Sequence, residues 1–250
     1  MLDIIRLPRG AALAAEAARE ARSFAVGFWF PLGSRHEAAH ERGFVHFVEH
    51  MAFKGTARRS AVALSREIDR VGGYLNAFTD RDSICLHCLV PASSWRLALD
   101  VLSDMAFSSL FAEEDFARER DVIVSEILSA RDDPEECSHE ELLARIWPGD
   151  PLSRKIAGEP EDIERATRGA LYEFYRSSLV PGSLLVTAAG PVEPDELAEE
   201  LGRILGDQGL GARPPARPRP SAVPRFVPAR VYRRAAMEQV NYFEAVQLDP

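Results

Sequence analysis

The chain has 250 residues, 46% of them hydrophobic, which is enough to bury a sizeable core as one large or two small domains. Its 30 basic and 39 acidic residues give a net charge of -9, which argues against nucleic-acid binding because that needs a basic surface to neutralise phosphates. The sequence shows no signal-peptide pattern, no apolar run of membrane-span length and only three cysteines, so we expect a cytoplasmic protein with no membrane partner.

The first half of the chain predicts three strands and two short helices. Large and small residues alternate over 23–30, which is typical of a buried strand. Apolar residues at helical spacing predict helices over 44–53 and over about 60–71. Two strands follow, over 74–79 and 83–90, and the short polar turn between them indicates a hairpin.

The second half is mostly helical. Helices are predicted over about 94–110, 113–130, 160–178 and 194–205, with a further helix starting at Asp133 and a strand over 183–189. Hairpins followed by runs of helices favour an α+β fold, in which a mainly antiparallel sheet is covered by helices.

Three segments follow from this pattern. Residues 1–205 are predicted to form one domain. Residues 206–229 are rich in Gly and Pro and are predicted to be an extended linker. Residues 230–250 regain a strand-like pattern and are predicted to be the first strand of a second, incomplete domain.

A metal-binding pattern lies on the predicted helix over 44–53. His46 and His50 are four residues apart, so both imidazoles project from one face of the helix, and Glu49 lies beside them. This is the inverted form of the His-Glu-x-x-His zinc motif. A helix with two exposed histidines and a solvated glutamate is the alternative. The helix over 113–130 offers two more carboxylates on one face, Glu119 and Glu126, and catalytic zinc needs a third protein ligand.

These residues resemble the pitrilysin/insulinase family of zinc metallopeptidases (M16), in particular the N-terminal domain of its mitochondrial-processing-peptidase-like branch. The resemblance rests first on residues 43–56, GFVHFVEHMAFKGT. In that family the third ligand is a glutamate about 76 positions after the second histidine, and Glu126 lies 126 − 50 = 76 positions after His50. The similarity covers roughly residues 5–205.

The resemblance implies a role for each site residue. It implies one Zn²⁺ per chain, held by His46, His50 and Glu126, with Glu49 as the catalytic base and Glu119 supporting the site. Residues 72–79, GGYLNAFT, resemble the family's edge strand, which pairs with the substrate backbone. The implied substrate-binding residues are Asn76, Ala77, Phe78 and Thr79. The implied activity is zinc-dependent hydrolysis of peptides or unfolded polypeptides, although such ligands also accept manganese or cobalt.

One departure from the family raises a first alternative. Family members usually carry two related domains that close around the substrate, whereas here only residues 238–243 resemble the start of the second domain. We therefore expect either a fragment of a longer protein, which we favour, or a partner subunit that completes the chamber. A non-catalytic or incomplete subunit is the corresponding alternative function.

A second alternative concerns the cysteines. A lyase of the S-ribosylhomocysteine type has a similar His-x-x-Glu-His helix but uses a cysteine as third ligand, and Cys137 is available. Cys85 and Cys88 form a C-x-x-C pair on a predicted strand. Because side chains alternate along a strand, their sulfurs should point to opposite faces, which favours core packing over metal binding.

Overall fold

The computed structural model describes residues 2–206, 225–229 and 242–247. Residues 2–206 contain a six-stranded sheet in the order β1-β2-β6-β3-β5-β4. The strands are β1 (Leu2–Arg6), β2 (Ala12–Ala17), β3 (Ser23–Phe30), β4 (Tyr74–Thr79), β5 (Ile84–Pro91) and β6 (Leu185–Gly190). Within residues 2–206, only the β2–β6 pair is parallel, and every other neighbouring pair is antiparallel. The predicted α+β fold with a mainly antiparallel sheet is confirmed.

Eight α-helices occur within the described part of the chain. They are α1 (Phe44–Ala52), α2 (Ala61–Asp69), α3 (Trp95–Ser108), α4 (Glu113–Arg131), α5 (Pro134–Ile146), α6 (Pro160–Arg165), α7 (Arg168–Ser178) and α8 (Pro194–Gly206). Helices α1, α2, α3 and α8 contact the sheet. None of the helices in these residues is long and apolar enough to cross a bilayer.

Alternation along the strands explains why the helices lie on one face of the sheet. In β3, Phe24, Val26, Phe28 and Phe30 are buried and form the core with α3, while Ala25 between them is exposed. The other face carries exposed apolar side chains at both ends of the sheet, with Ile4 at 74% and Tyr74 at 53% exposure. The described residues therefore leave one partly apolar face of the sheet uncovered.

Two local predictions were incomplete. The helix predicted over 160–178 is two helices, because Ala166 has extended backbone angles and Thr167 starts α7 by accepting a hydrogen bond from the N–H of Ala170. Strands β1 and β2 were not predicted. Most of the predicted linker, and residues 230–241 and 248–250 of the predicted final strand, lie outside the described residues. Residues 225–229 and 242–247 show no regular secondary structure, and the domain boundaries stay predictions.

Candidate metal centre and active site

Helix α1 is amphipathic, and this determines where its polar residues point. One side of the helix is buried, and on that side Phe47 stacks on Phe116 of α4 with ring centroids 4.9 Å apart. The opposite side carries His46, Glu49 and His50, whose i, i+3, i+4 spacing places them together. Packing of α1 against α4 thus brings the two predicted histidine ligands next to the helix that carries Glu126.

The predicted ligand atoms converge. Nε2 of His46 lies 3.7 Å from Oε1 of Glu126, and Nε2 of His50 lies 3.4 Å from Oε2 of Glu126. One ligand atom from each of the three residues lies within 4.8 Å of the others. Zinc bonds of about 2.0–2.1 Å put two ligands of a tetrahedral site roughly 3.3 Å apart, so this donor set and its spacing fit a zinc ion.

The Glu119 carboxylate contacts His50 through the ring nitrogen that does not approach Glu126, and it also forms an ion pair with Lys54. Oε2 of Glu119 lies 3.1 Å from Nδ1 of His50, and Oε1 of the same carboxylate lies 2.7 Å from Nζ of Lys54. Glu119 is only 8% exposed. Such a partner fixes the orientation of an imidazole, so that Nε2 of His50 remains directed towards the candidate metal position.

The two imidazoles differ in their surroundings. Burial, followed by repulsion from His50, lowers the pKa of His46 to about 4, and Glu126 opposes this shift only partly. Burial also acts to lower the pKa of His50, but its hydrogen bonds to Glu126 and Glu119 outweigh burial and raise it. Nδ1 of His46 is buried and has no hydrogen-bond partner in the described part of the chain. His46 therefore lacks at Nδ1 the kind of carboxylate partner that Glu119 provides to His50.

Glu49 lies beside the ligand cluster and is held by strand β4. The hydroxyl of Thr79 donates a hydrogen bond of 2.6 Å to Oε2 of Glu49. Burial raises the pKa of Glu49, and the hydrogen bond from Thr79 acts in the opposite direction. A carboxylate with a raised pKa beside a metal position is a candidate general base.

An open cleft of about 580 Å³ adjoins the cluster. It is lined by residues of α1, β4, α4 and α5 and by residues 155–158. Both Phe78 and Thr79 line it, and Phe78 is 38% exposed. Of the predicted site residues, His46, Glu49, Phe78, Thr79 and Glu126 therefore share one concave surface.

Strand β4 is an edge of the sheet among the described strands, because it pairs only with β5. Of the predicted substrate-binding residues, Ala77 is buried and Asn76 is exposed. The N–H of Ala77 donates to Oδ1 of Asn76 at 2.9 Å, and Nδ2 of Asn76 donates to the hydroxyl of Tyr74 at 2.6 Å. Because β4 pairs only with β5, its other side has no neighbouring strand among the described residues.

The cysteines lie elsewhere. Sγ of Cys137 approaches the carbonyl oxygen of Arg131 at 3.1 Å and is not part of the cluster of ligand atoms found among the described residues. Cys85 and Cys88 are 1% and 2% exposed, three positions apart on β5, and burial raises the pKa of both thiols to about 12. These surroundings are those of core residues.

Two residues near the site were missed from the sequence. Lys54 belongs to the motif over 43–56, but nothing in that motif predicts its contact with Glu119. Glu37 precedes the first residue of α1 by seven positions and is 4% exposed. Gly43, at the position before the helix, has no side chain that could cap it. This glycine was the sequence signal that a residue elsewhere, such as Glu37, supplies the cap. Glu126 itself is half-exposed, and Leu128, two positions further along α4, is 46% exposed.

Comparison with known proteins gives the family. The model of the insulinase family (peptidase family M16) matches residues 12–160. An uncharacterized zinc protease of Mycobacterium leprae (strain TN) is 35% identical over 215 residues, which are 86% of this chain and 48% of that protein. A protein named probable mitochondrial-processing peptidase subunit beta of Arabidopsis thaliana is 35% identical over 202 residues, 81% of this chain and 38% of its own length.

Solved structures show the same fold. A protease from Helicobacter pylori aligns with a TM-score of 0.82 and 20% identity, covering 88% of this chain and 53% of its own. An inactive M16 peptidase domain from Pseudomonas fluorescens aligns with a TM-score of 0.79 and 16% identity, covering 88% and 54%. The chain belongs to the M16 (insulinase) family of peptidases. It spans about half the length of the curated relatives reported above, or less.

Proposed function

We propose that this chain is the metal-bearing half of a zinc-dependent endopeptidase that hydrolyses peptides or unfolded polypeptides. The observation that carries the proposal is the convergence of His46, His50 and Glu126 on one point, with Glu49 beside them on an open cleft. The names of the relatives support zinc as the metal. On a surface patch without a bound metal, nothing would hold two imidazoles from one helix and a carboxylate from another at the spacing of metal ligands.

The chain's own residues supply binding, orientation and proton transfer. When bound, zinc acts as a Lewis acid that polarises a carbonyl group and acidifies water. His46, His50 and Glu126 would hold it, and Glu119 would keep His50 aligned. Thr79 occupies Oε2 of Glu49, while Oε1 carries no hydrogen bond from the described residues. Oε1 is therefore the atom proposed to accept a proton from the attacking water and to pass it to the leaving amine.

A second candidate function is that of a non-catalytic or incomplete subunit. Two observations favour a missing partner surface: the relatives are about twice as long, and one face of the sheet exposes Ile4, Tyr74 and other apolar side chains. Contiguous exposed apolar surface commonly marks an interface. We propose that a second homologous domain, in the same protein or in a partner subunit, covers this face and closes the cleft.

Hydrolysis of an internally quenched fluorescent peptide tests both candidates. We expect cleavage that a chelator abolishes and added zinc restores, and we expect a second homologous half, supplied in the same chain or as a separate subunit, to increase it. Cleavage seen only with the second half would identify the incomplete subunit. If zinc binds but no cleavage occurs with or without that half, the endopeptidase proposal is wrong and the non-catalytic role stands.

The role of strand β4 makes a separate prediction. If a substrate adds to this edge as a further strand, only alternate main-chain amides of the peptide can bond to it. N-methylation at alternate positions on one side of the scissile bond should then lower kcat/KM by about tenfold or more, because each methyl group removes a hydrogen bond. N-methylation of the intervening amides is the matched control. Equal tolerance at all positions would show that β4 does not pair with the substrate.

A further inference from the structure

Helix α1 begins without a cap of its own. Gly43 precedes it with a φ of +81°, and a glycine has no side chain that could accept a hydrogen bond from the first N–H groups. A Cβ atom at Gly43 would lie 2.5 Å from the carbonyl oxygen of Ala157. The usual capping residues Ser, Thr, Asn and Asp are therefore excluded at this position, and the cap must come from elsewhere in the chain.

Glu37 supplies that cap. Its Oε2 accepts a hydrogen bond of 3.0 Å from the N–H of Gly43, and its Oε1 accepts one of 2.8 Å from the N–H of Val45. The amide of Phe44 between them bonds to the carbonyl oxygen of Glu41 at 2.9 Å. In its ionised form, a carboxyl group at this end of a helix also interacts favourably with the helix dipole.

The burial of Glu37 indicates a structural role for its carboxyl group at the start of α1. Burial raises its pKa to about 8, and the hydrogen bonds from Val45 and Gly43 act against that shift. Burying a carboxyl group costs free energy of folding unless its hydrogen bonds compensate for the lost contact with water. Its main-chain carbonyl also accepts a hydrogen bond of 2.9 Å from Arg154, next to the segment 155–158 that lines the cleft. Glu37 therefore joins the start of α1 to the cleft wall.

The link to the metal centre is His46, which directly follows Val45. His50 is oriented by Glu119, whereas Nδ1 of His46 has no hydrogen-bond partner among the described residues. Apart from the approach of its Nε2 to Glu126 at 3.7 Å and the contact of its ring with His50, the His46 imidazole is positioned by the first turn of α1. We propose that Glu37 is a positioning residue of the metal centre, which fixes His46 by capping α1 from outside the helix. This inference rests on the proposed metal site.

The test compares Glu37→Gln with Glu41→Gln in the full chain. Gln is nearly isosteric with Glu, but its amide nitrogen cannot accept a hydrogen bond, so one of the two cap bonds is lost. Glu41 is a matched control in the same loop, where its side chain accepts a hydrogen bond of 2.9 Å from the N–H of Ala38. We expect zinc affinity, measured by competition with a chelator, to fall about 10- to 100-fold in E37Q and to stay unchanged in E41Q.

A spectroscopic measurement separates positioning from general stability. With Co²⁺ in place of zinc, the visible absorption bands of E37Q should shift, because they report coordination geometry, while E41Q should keep the native bands. If E37Q does not fold, amide hydrogen exchange in the unaltered protein decides: zinc should protect the amides of Gly43 and Val45. Native bands and native affinity in folded E37Q, or no such protection, would overturn the proposal. If the unaltered protein binds no zinc, the proposed function fails as well; if it binds zinc without cleaving peptides, only the endopeptidase proposal fails.

Discussion

Replacement of Glu49 by Gln is expected to remove peptide hydrolysis while leaving zinc in place, with kcat lower by about 10²- to 10⁴-fold. The side-chain amide of Gln has no oxygen basic enough to accept a proton from water. Its carbonyl oxygen can still accept the hydrogen bond from Thr79, so the local structure should persist. Steady-state hydrolysis of a quenched peptide, together with elemental analysis of the dialysed protein, measures both quantities.

A matched control for this variant is Glu20→Gln, which makes the same chemical change at an exposed turn position between β2 and β3. It should leave hydrolysis and zinc content unchanged. Substantial hydrolysis by E49Q, within about tenfold of the unaltered protein, would assign the proton transfer to another group. Loss of zinc from E49Q would instead make Glu49 part of the metal-binding set.

The parts of the site that the sequence predicts are those set by local geometry. The spacing of His46, Glu49 and His50 on one helix places them together regardless of the rest of the fold. The third residue, Glu126, came from a resemblance in spacing, because no local rule relates two positions 76 residues apart. Contacts such as Lys54 with Glu119, and Glu37 with the start of α1, depend on how separate segments pack, so the sequence alone did not predict them.

The missed strands have a similar explanation. Residues 12–17 read ALAAEA, a composition that favours a helix, yet they form a central strand that pairs with β1 on one side and β6 on the other. Pairing with the neighbouring strands overrides the helix propensity of these residues. Leu13 and Ala15 are buried in a strand that contacts α8, and this burial stabilises the strand. Strand β3 was predicted because its alternating large residues indicate a strand on their own.

Replacement of Glu126 by Ala is expected to lower zinc affinity by more than about 100-fold, since loss of a direct ligand should exceed the cost of losing an outer partner. The remaining ligands, His46 and His50, both come from α1 and leave the ion with too few protein donors. Because the Glu126 side chain is 51% exposed, the metal-free protein should unfold at nearly the same temperature as the unaltered protein. Chelator competition and thermal unfolding of the metal-free forms measure the two effects.

Asp121→Asn is the control for this variant, because it removes a carboxylate from the same helix. The Asp121 side chain is 82% exposed and lies outside the ligand cluster. Its zinc affinity should match that of the unaltered protein. Both variants remove one negative charge, so a purely electrostatic attraction of zinc to α4 would weaken binding similarly in the two. A difference confined to Glu126→Ala therefore indicates direct coordination, whereas full zinc affinity in that variant would exclude Glu126 as the third ligand.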